Sequence, residues 1–261
     1  MPKLKEITKI LETFAPLGLQ EDFDNSGLIF GDENAEIRGA LLCIDITESV
    51  IDEAVSLGFN LIISHHPLIF SGLKKITGKT YIERCLIKAI ENKIAIYAAH
   101  TNFDSVSNGV SYRMAEKIGL KNLKILVPKD DFENSGLGVV GELGNALNEK
   151  VFLQKIKQIF NVGAIKHSKF LEKNISKVAL CGGSGAEFIN DAKRCGADIY
   201  ITADVSYHRF FEAENQLIIA DIGHFESEQF TKEIFYEQLI KNFPNFAVKF
   251  SREEKNVISF S

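Results

Sequence analysis

Three short apolar runs in this chain each lead directly into histidine. Leu61–Ser64 opens onto His65 and His66, residues 93–99 onto His100, and residues 216–222 onto Gly223 and His224. Runs of four to seven apolar, β-branched residues bounded by turn formers read as buried strands. Acidic residues follow at matching distances, Asp104 four residues after His100 and Glu228 four after His224. In open α/β sheets, ligands collect outside the carboxyl ends of parallel strands, where side chains from several strands converge without disturbing the core. The pattern therefore predicts an α/β fold with one shared polar site, and metal binding is the first reading of that site.

The rest of the chain repeats the strand and helix rhythm. GALLCIDIT reads as a strand, ESVIDEAVSLG as a helix closed by Gly58, and FNLIIS as the next strand, which together form a βαβ unit. The helix YIERCLIKAIENK and the strand IAIYAA repeat the crossover, and NGVSYRMAEKIGL closes the first half with a helix. Between about residues 121 and 178, Pro128 and the polar stretch KDDFENSG suggest a boundary, followed by a small β-α-β cap with a helix over Glu149–Phe160. From Val178 the rhythm returns: VALCGGSG, the helix AEFINDAKRCG, the strand ADIYITA, a helical passage over residues 207–214, then QLIIADIGH and one helix through GHFESEQFTKEIFYEQLI. The tail, NFAVKF, SREEKN and VISFS, reads as a closing hairpin. The expected architecture is two α/β lobes with mainly parallel sheets and a cleft between them. The first lobe covers residues 1–125, the second, with the cap and the CGGSG loop, residues 126–235, and residues 236–261 close onto the core.

Composition narrows the function classes. Apolar residues at 45% and charged residues at 25% suit a globular chain, and 261 residues can bury a substantial core. A net charge of −5 offers no broad basic surface, so nucleic acid is not an expected partner. The opening residues, with Leu4, Ile7, Leu11 and Phe14 at helical spacing and charges between them, read as an amphipathic surface helix and not as a signal peptide. No run approaches the roughly 20 apolar residues that span a bilayer. Cys43, Cys85, Cys181 and Cys195 are widely spaced without a CxxC pair and read as reduced, packed thiols. A cytoplasmic protein is expected.

Neighbouring residues on a regular strand face opposite sides, so His65 and His66 share a site only if the strand ends there. Pro67 supports that ending, because it removes a ladder donor and disfavours helix at His66. Asp104 either faces the site with His100 or, with Ser105, caps the following helix. His224 and Glu228, four apart, project from one helical face, though Glu228 could also serve a helix N-terminus. Three histidines and two carboxylates exceed a closed four-ligand structural zinc site and suit two neighbouring divalent ions with a bridging carboxylate. Zinc, iron, manganese, cobalt and nickel all accept such mixed nitrogen and oxygen ligands. The loop of Gly182, Gly183, Ser184 and Gly185 is a candidate phosphate contact through its backbone amides, although glycines serve turns equally well. Asp204 and His208 follow another strand and read as supporting or acid–base groups, or as structural residues. Asp24 with Asn25, and Asp45, could orient ligands, but ordinary turn roles suffice for them.

SHHPLIF, HTNFD and GHFESE, with the early DNSGL and the glycine-rich CGGSG, resemble the NIF-three-like family, also called GTP cyclohydrolase I type 2 homologs. The resemblance spans nearly the whole chain. It implies a dinuclear metal centre between two α/β lobes and a ring-like homo-hexamer. Carried onto matching positions, it implies His65, His66, Asp104, His224 and Glu228 as metal ligands, with Glu228 as the bridge and His100 near the metals. Longer members carry an inserted domain for which 261 residues leave no room.

The expected function is a metal-dependent hydrolase, with two divalent ions per subunit, acting on a nucleotide or related small molecule. Taken literally, the family name implies ring opening of GTP at guanine C8 with release of formate, with His100 or His208 as catalytic proton carrier. The alternatives are a non-enzymatic metal-binding or metal-handling ring, and a dinuclear phosphoesterase or peptidase.

Overall fold

The computed structural model describes residues 1–129 and 132–259. The chain forms two compact units, one of residues 1–103 and 231–257, the other of residues 104–230 with the end of the chain.

The first unit is built on a five-stranded sheet in the order β1-β4-β3-β2-β11. Its strands are β1 (Gly27–Phe30), β2 (Gly39–Cys43), β3 (Leu61–Ser64), β4 (Ala95–Ala98) and β11 (Ala247–Phe250). Four of them are parallel neighbours, and β1 alone runs antiparallel, against β4. Every residue of β2, β3 and β4 is buried, as expected for strands covered on both faces. Helix α2 (Glu48–Ser56) joins β2 to β3 and α3 (Tyr81–Glu91) joins β3 to β4, each capped by a threonine, Thr47 and Thr80, whose hydroxyl accepts a backbone N–H of the first turn. Their apolar faces pack with Leu41, Ile62 and Ile96 of the strands. Helix α1 (Leu4–Phe14) buries Leu4, Ile7 and Leu11, the three-and-four spacing seen in the sequence.

The second unit carries a six-stranded sheet in the order β5-β6-β8-β9-β10-β7. The strands are β5 (Lys121–Pro128), β6 (Gly136–Asn148), β7 (Lys166–His167), β8 (Asn174–Ser184), β9 (Ile199–Ala203) and β10 (Ile218–Asp221). Only β8, β9 and β10 are mutually parallel; β5/β6, β6/β8 and β7/β10 are antiparallel. The sheet is therefore mixed, not mainly parallel as expected. Nor is there a separate cap. β6 lies inside the sheet, and α6 (Glu149–Phe160) buries Phe152, Leu153, Ile156 and Phe160 in one core with Val139, Val178, Ile199 and Ile218.

The units divide at 103/104 and 230/231, not at 125/126 and 235/236. The first shift arises because α5 (Val110–Ile118) buries Met114, Ala115 and Ile118 in the core of the second sheet. The second arises because the single helix expected after Gly223 is two, α8 (His224–Glu228) and α9 (Thr231–Asn242). Phe230 packs on Phe160, whereas Phe235 packs on Phe103. The expected terminal hairpin is absent among the described residues: β11 pairs parallel with β2, and residues 251–259 form no strand. Phe260 and Ser261, the end of that expected strand, and Asp130 and Asp131 of the boundary stretch lie outside the described residues. Among the described residues no helix is long and apolar enough to cross a membrane. All four cysteines are free thiols, three of them buried.

Candidate metal centre

In the first unit, adjacent parallel strands deliver their following residues to one end of the sheet: Asp45 after β2, His65 and His66 after β3, His100 after β4. β3 does end at Ser64, and the two neighbouring imidazoles turn to the same side, with ring centroids 5.0 Å apart. His100 meets both rings edge-on, at 5.2 Å from His65 and 5.4 Å from His66. One ligand atom from each of the three histidines can be chosen so that all lie within 4.8 Å of one another.

Each ring is held through Nδ1. His65, completely buried, donates to the Ala99 carbonyl at 2.8 Å. His66 donates to Asp45 Oδ1 at 2.8 Å, and His100 to Asp24 Oδ1 at 2.7 Å. A carbonyl or carboxylate oxygen can only accept, so Nδ1 carries the proton and Nε2 is the nitrogen left to offer a lone pair. This is the arrangement found behind metal-ligating histidines.

Asp24 does more than orient His100. Its fully buried carboxylate also accepts from Thr101 N at 3.0 Å, Asn25 N at 2.7 Å and Ser26 Oγ at 2.9 Å. Burial alone would push the carboxyl up, but the hydrogen bonds from His100, Thr101 and Asn25 outweigh it and hold Asp24 well below the usual carboxylate range. Asn25 donates to the Ile69 carbonyl at 2.6 Å, which ties the DNSG loop to the segment after His66. Phe70 follows, about half exposed, with its ring edge-on to His100 at 5.5 Å.

The second unit repeats the device. Asp204 follows β9, and His224 follows β10 across Gly223. His224 Nδ1 donates to Asp204 Oδ2 at 2.6 Å, and its Nε2 lies 3.1 Å from Oε2 of Glu228 one helical turn on. Burial opposes charging of this imidazole, but the two carboxylates outweigh it and raise its pKa to about 11. The bond to His224 correspondingly lowers Asp204. Glu228 is 2% exposed. Asp104, half-buried, sits in the short helix α4 (Thr101–Ser105), and the next helix starts behind Gly109, so neither Asp104 nor Ser105 caps it.

Three amides of the glycine loop are hydrogen-bonded within the protein. Gly182 N donates to Ser111 Oγ at 3.2 Å, Gly183 N to Ser227 Oγ at 2.9 Å and Gly185 N to Thr202 Oγ1 at 2.9 Å. Of the expected cradle at Gly182, Gly183, Ser184 and Gly185, the three glycine amides are thus engaged by hydroxyls, and the Glu228 carboxylate lies against Gly183. His208, a candidate proton carrier in the sequence, stands exposed on the 3₁₀ helix Tyr207–Ala213, with Tyr207 and Phe211 as its ring neighbours. His167 is exposed on β7. Sequence reasoning missed the Ala99 carbonyl behind His65, and it offered Asp24 and Asp45 as residues that could orient ligands while finding turn roles sufficient; both hold a histidine ring. For Asp45 the available signal was an aspartate two residues past a buried strand, alongside histidines in the same position on neighbouring strands.

These features define a two-sheet α/β protein carrying histidine and carboxylate groups able to hold a metal ion. The comparisons give it a family. The pattern of the Duf34/NIF3 (NGG1p interacting factor 3) family matches residues 2–257, and the chain belongs to that family. A Clostridium perfringens protein named GTP cyclohydrolase 1 type 2 homolog is 41% identical over 228 residues, covering 87% of each chain. Among solved structures, a Bacillus cereus protein related to NIF3 superposes with a TM-score of 0.92 at 27% identity, covering 100% of this chain and 99% of that one. Reduced HcgD from Methanocaldococcus jannaschii matches with a TM-score of 0.80 at 31% identity, covering 97% and 98%.

Proposed function

We propose that His65, His66, Asp104, His224 and Glu228 hold a pair of divalent metal ions, and that the protein is a hydrolase acting on a nucleotide or a related small molecule. The observation that carries this reading is the Nδ1 anchoring: the four imidazoles at His65, His66, His100 and His224 all donate that nitrogen to an oxygen acceptor. A metal ligand needs its ring fixed and its second nitrogen directed, and this anchoring supplies both. The donors fit the group, since two buried or half-buried carboxylates accompany the imidazoles in a mixed nitrogen and oxygen set.

When bound by these residues, divalent ions would supply Lewis acidity and would lower the pKa of water. Glu228, whose Oε2 faces His224 Nε2 at 3.1 Å, would hold the ions together with the histidines. His100, fixed by Asp24, offers Nε2 as a proton acceptor beside the other two rings. The relatives' name points to GTP as the first substrate to test, with formate as the product of guanine ring opening. The same reading includes a ring-like homo-hexamer, which native mass spectrometry checks.

The deciding experiment loads purified protein with zinc, iron, manganese, cobalt or nickel and offers GTP, other nucleotides and phosphoesters. The expected result is consumption by wild type and none by His65→Ala or Glu228→Gln. Absence of formate with every metal would remove GTP ring opening. Metal occupancy without consumption of any compound would replace the hydrolase by a metal-handling protein.

A further inference from the structure

The C-terminal segment reaches back to the histidine cluster of its own unit. After β11, Ser251 N donates to the Leu42 carbonyl at 2.9 Å, continuing the ladder beside β2. Sheet pairing stops there, because β11 runs alongside β2 only as far as Phe250 opposite Leu42. The next N–H groups on that edge, from Ile44 and Asp45, find no strand. They find the side chain of Glu254. Its Oε1 accepts from Asp45 N at 3.1 Å and from Ile44 N, and its Oε2 pairs with Lys232 Nζ at the start of α9.

Glu254 is 2% exposed at its side chain. A buried carboxylate is costly unless it is paired and hydrogen-bonded, so its retention needs a structural return. The return is visible one bond further on. The Ile44 carbonyl accepts from His66 N at 2.9 Å, while Asp45 Oδ1 accepts from His66 Nδ1 at 2.8 Å. Glu254 therefore grips the two residues that hold both the backbone and the ring of His66. Asp45 itself is about half exposed at its side chain, while its backbone amide is held by the buried Glu254.

We propose that Glu254 is a positioning residue for His66: it fixes residues 44 and 45 so that Asp45 presents the His66 ring with Nε2 directed for metal binding. The metal half of this statement rests on the metal centre proposed above; the positioning half does not. Glu254 touches neither metal nor substrate, and it acts through two amides and one carboxylate.

Two readouts test it. The first is the ring nitrogen spectrum of His66, recorded by long-range proton–nitrogen NMR without metal. The second is the dissociation constant for Co²⁺, measured by competition with a chromophoric chelator. Glu254→Ala is expected to abolish the single Nδ1–H signature of His66 and to weaken Co²⁺ binding by about 10- to 100-fold, the range for groups behind metal ligands. Glu254→Gln keeps an acceptor for both amides and should restore the spectrum and bind within about threefold of wild type, a difference of under about 1 kcal/mol. Ile7→Val, a core truncation in α1, controls for general loss of stability and should keep wild-type affinity. Should Glu254→Ala fail to fold, Glu254→Asp takes its place, since it keeps the charge but is one methylene too short to reach both amides. A folded Glu254→Ala or Glu254→Asp with the wild-type His66 spectrum and wild-type Co²⁺ affinity would overturn the proposal. If wild type bound no divalent ion, the metal reading would fall, while the metal-free spectrum would still decide the role of Glu254.

Discussion

A methyl group on Gly183 would stand 2.3 Å from Oε1 of Glu228. The glycine adopts φ +63°, and its amide is bound to Ser227 Oγ, so the loop cannot retreat without losing that bond. Gly183→Ala should therefore carry two costs: the left-handed conformation, about 1–2 kcal/mol, and displacement of a buried carboxylate. Gly196, at φ +71° in the same unit, has open space around its missing side chain. Gly196→Ala should lose only the conformational part. The expected outcome is a lower melting temperature for both variants but weakened metal binding for Gly183→Ala alone, as read by calorimetry and metal titration. Equal metal affinities would show that Glu228 does not need this bed.

The carboxylates behind the rings should separate by burial. Asp24 is fully buried at its side chain and takes donors from four residues, whereas Asp45 and Asp204 are about half exposed and hold one histidine each. Asp24→Ala strands several buried donors and should destabilise the fold by about 3 kcal/mol or more. Asp45→Ala and Asp204→Ala should lower stability by less than about 1 kcal/mol yet weaken metal binding about 10- to 100-fold. Denaturant melts and metal titrations on the three variants check this, and a wild-type affinity in Asp204→Ala would count against His224 as a ligand.

Acid should loosen the C-terminal segment. Glu53 accepts from Ser251 Oγ at 2.5 Å and from the Arg252 and Glu253 amides. Burial pushes its carboxyl up, but these hydrogen bonds and the Arg252 charge together prevail and lower it. A carboxyl with a depressed folded pKa contributes stability above its unfolded value, near 4.3, and loses that contribution as pH falls through the folded value. Hydrogen exchange at residues 251–254 should thus be slow at neutral pH and accelerate below about pH 4 relative to the β2 core. Glu53→Gln should show the fast exchange already at pH 7. Pinning that survived both changes would mean that β11 and Glu254 suffice to hold the segment.

The strand ends that carry histidine were more legible than the second sheet. His65 and His66 could be assigned to a strand end because Pro67 follows them, and the structure ends β3 one residue earlier. The first sheet was readable because parallel strands buried on both faces are continuously apolar, as in β2, β3 and β4. β6 was read as the short first strand of a separate cap, because its interspersed Gly136, Gly138, Gly141 and Gly144 do not announce a thirteen-residue strand inside a sheet. The glycines instead permit close strand approach: a side chain at Gly136 would collide with the Val127 carbonyl of β5. Gly182, Gly183 and Gly185 show a related limit of the sequence. A glycine-rich loop after a strand looks the same whether its amides face a phosphate or, as here, hydroxyls from Ser111, Ser227 and Thr202 that lie far off in the chain. The break between α8 and α9 was invisible because Phe230 and Phe235 keep helical apolar spacing while serving different cores.

Metal removal gives the most direct test of the paired-ion reading. A ligand that binds only the folded protein stabilises it by about 2.7 kcal/mol at a hundredfold excess over its dissociation constant. For a chain of this size that corresponds to about 5–10 °C in melting temperature. Chelation should therefore lower the melting temperature of wild type by that amount, and readdition of zinc or cobalt should restore it. His65, completely buried with Nδ1 on the Ala99 carbonyl, can present only Nε2 to an ion. His65→Ala should erase the difference between chelated and metal-loaded protein, whatever its own cavity does to the baseline. His208→Ala, on the exposed 3₁₀ helix, should preserve the difference in full. A metal-dependent shift that persisted undiminished in His65→Ala would place the stabilising ion elsewhere and remove the histidine cluster from the proposed centre.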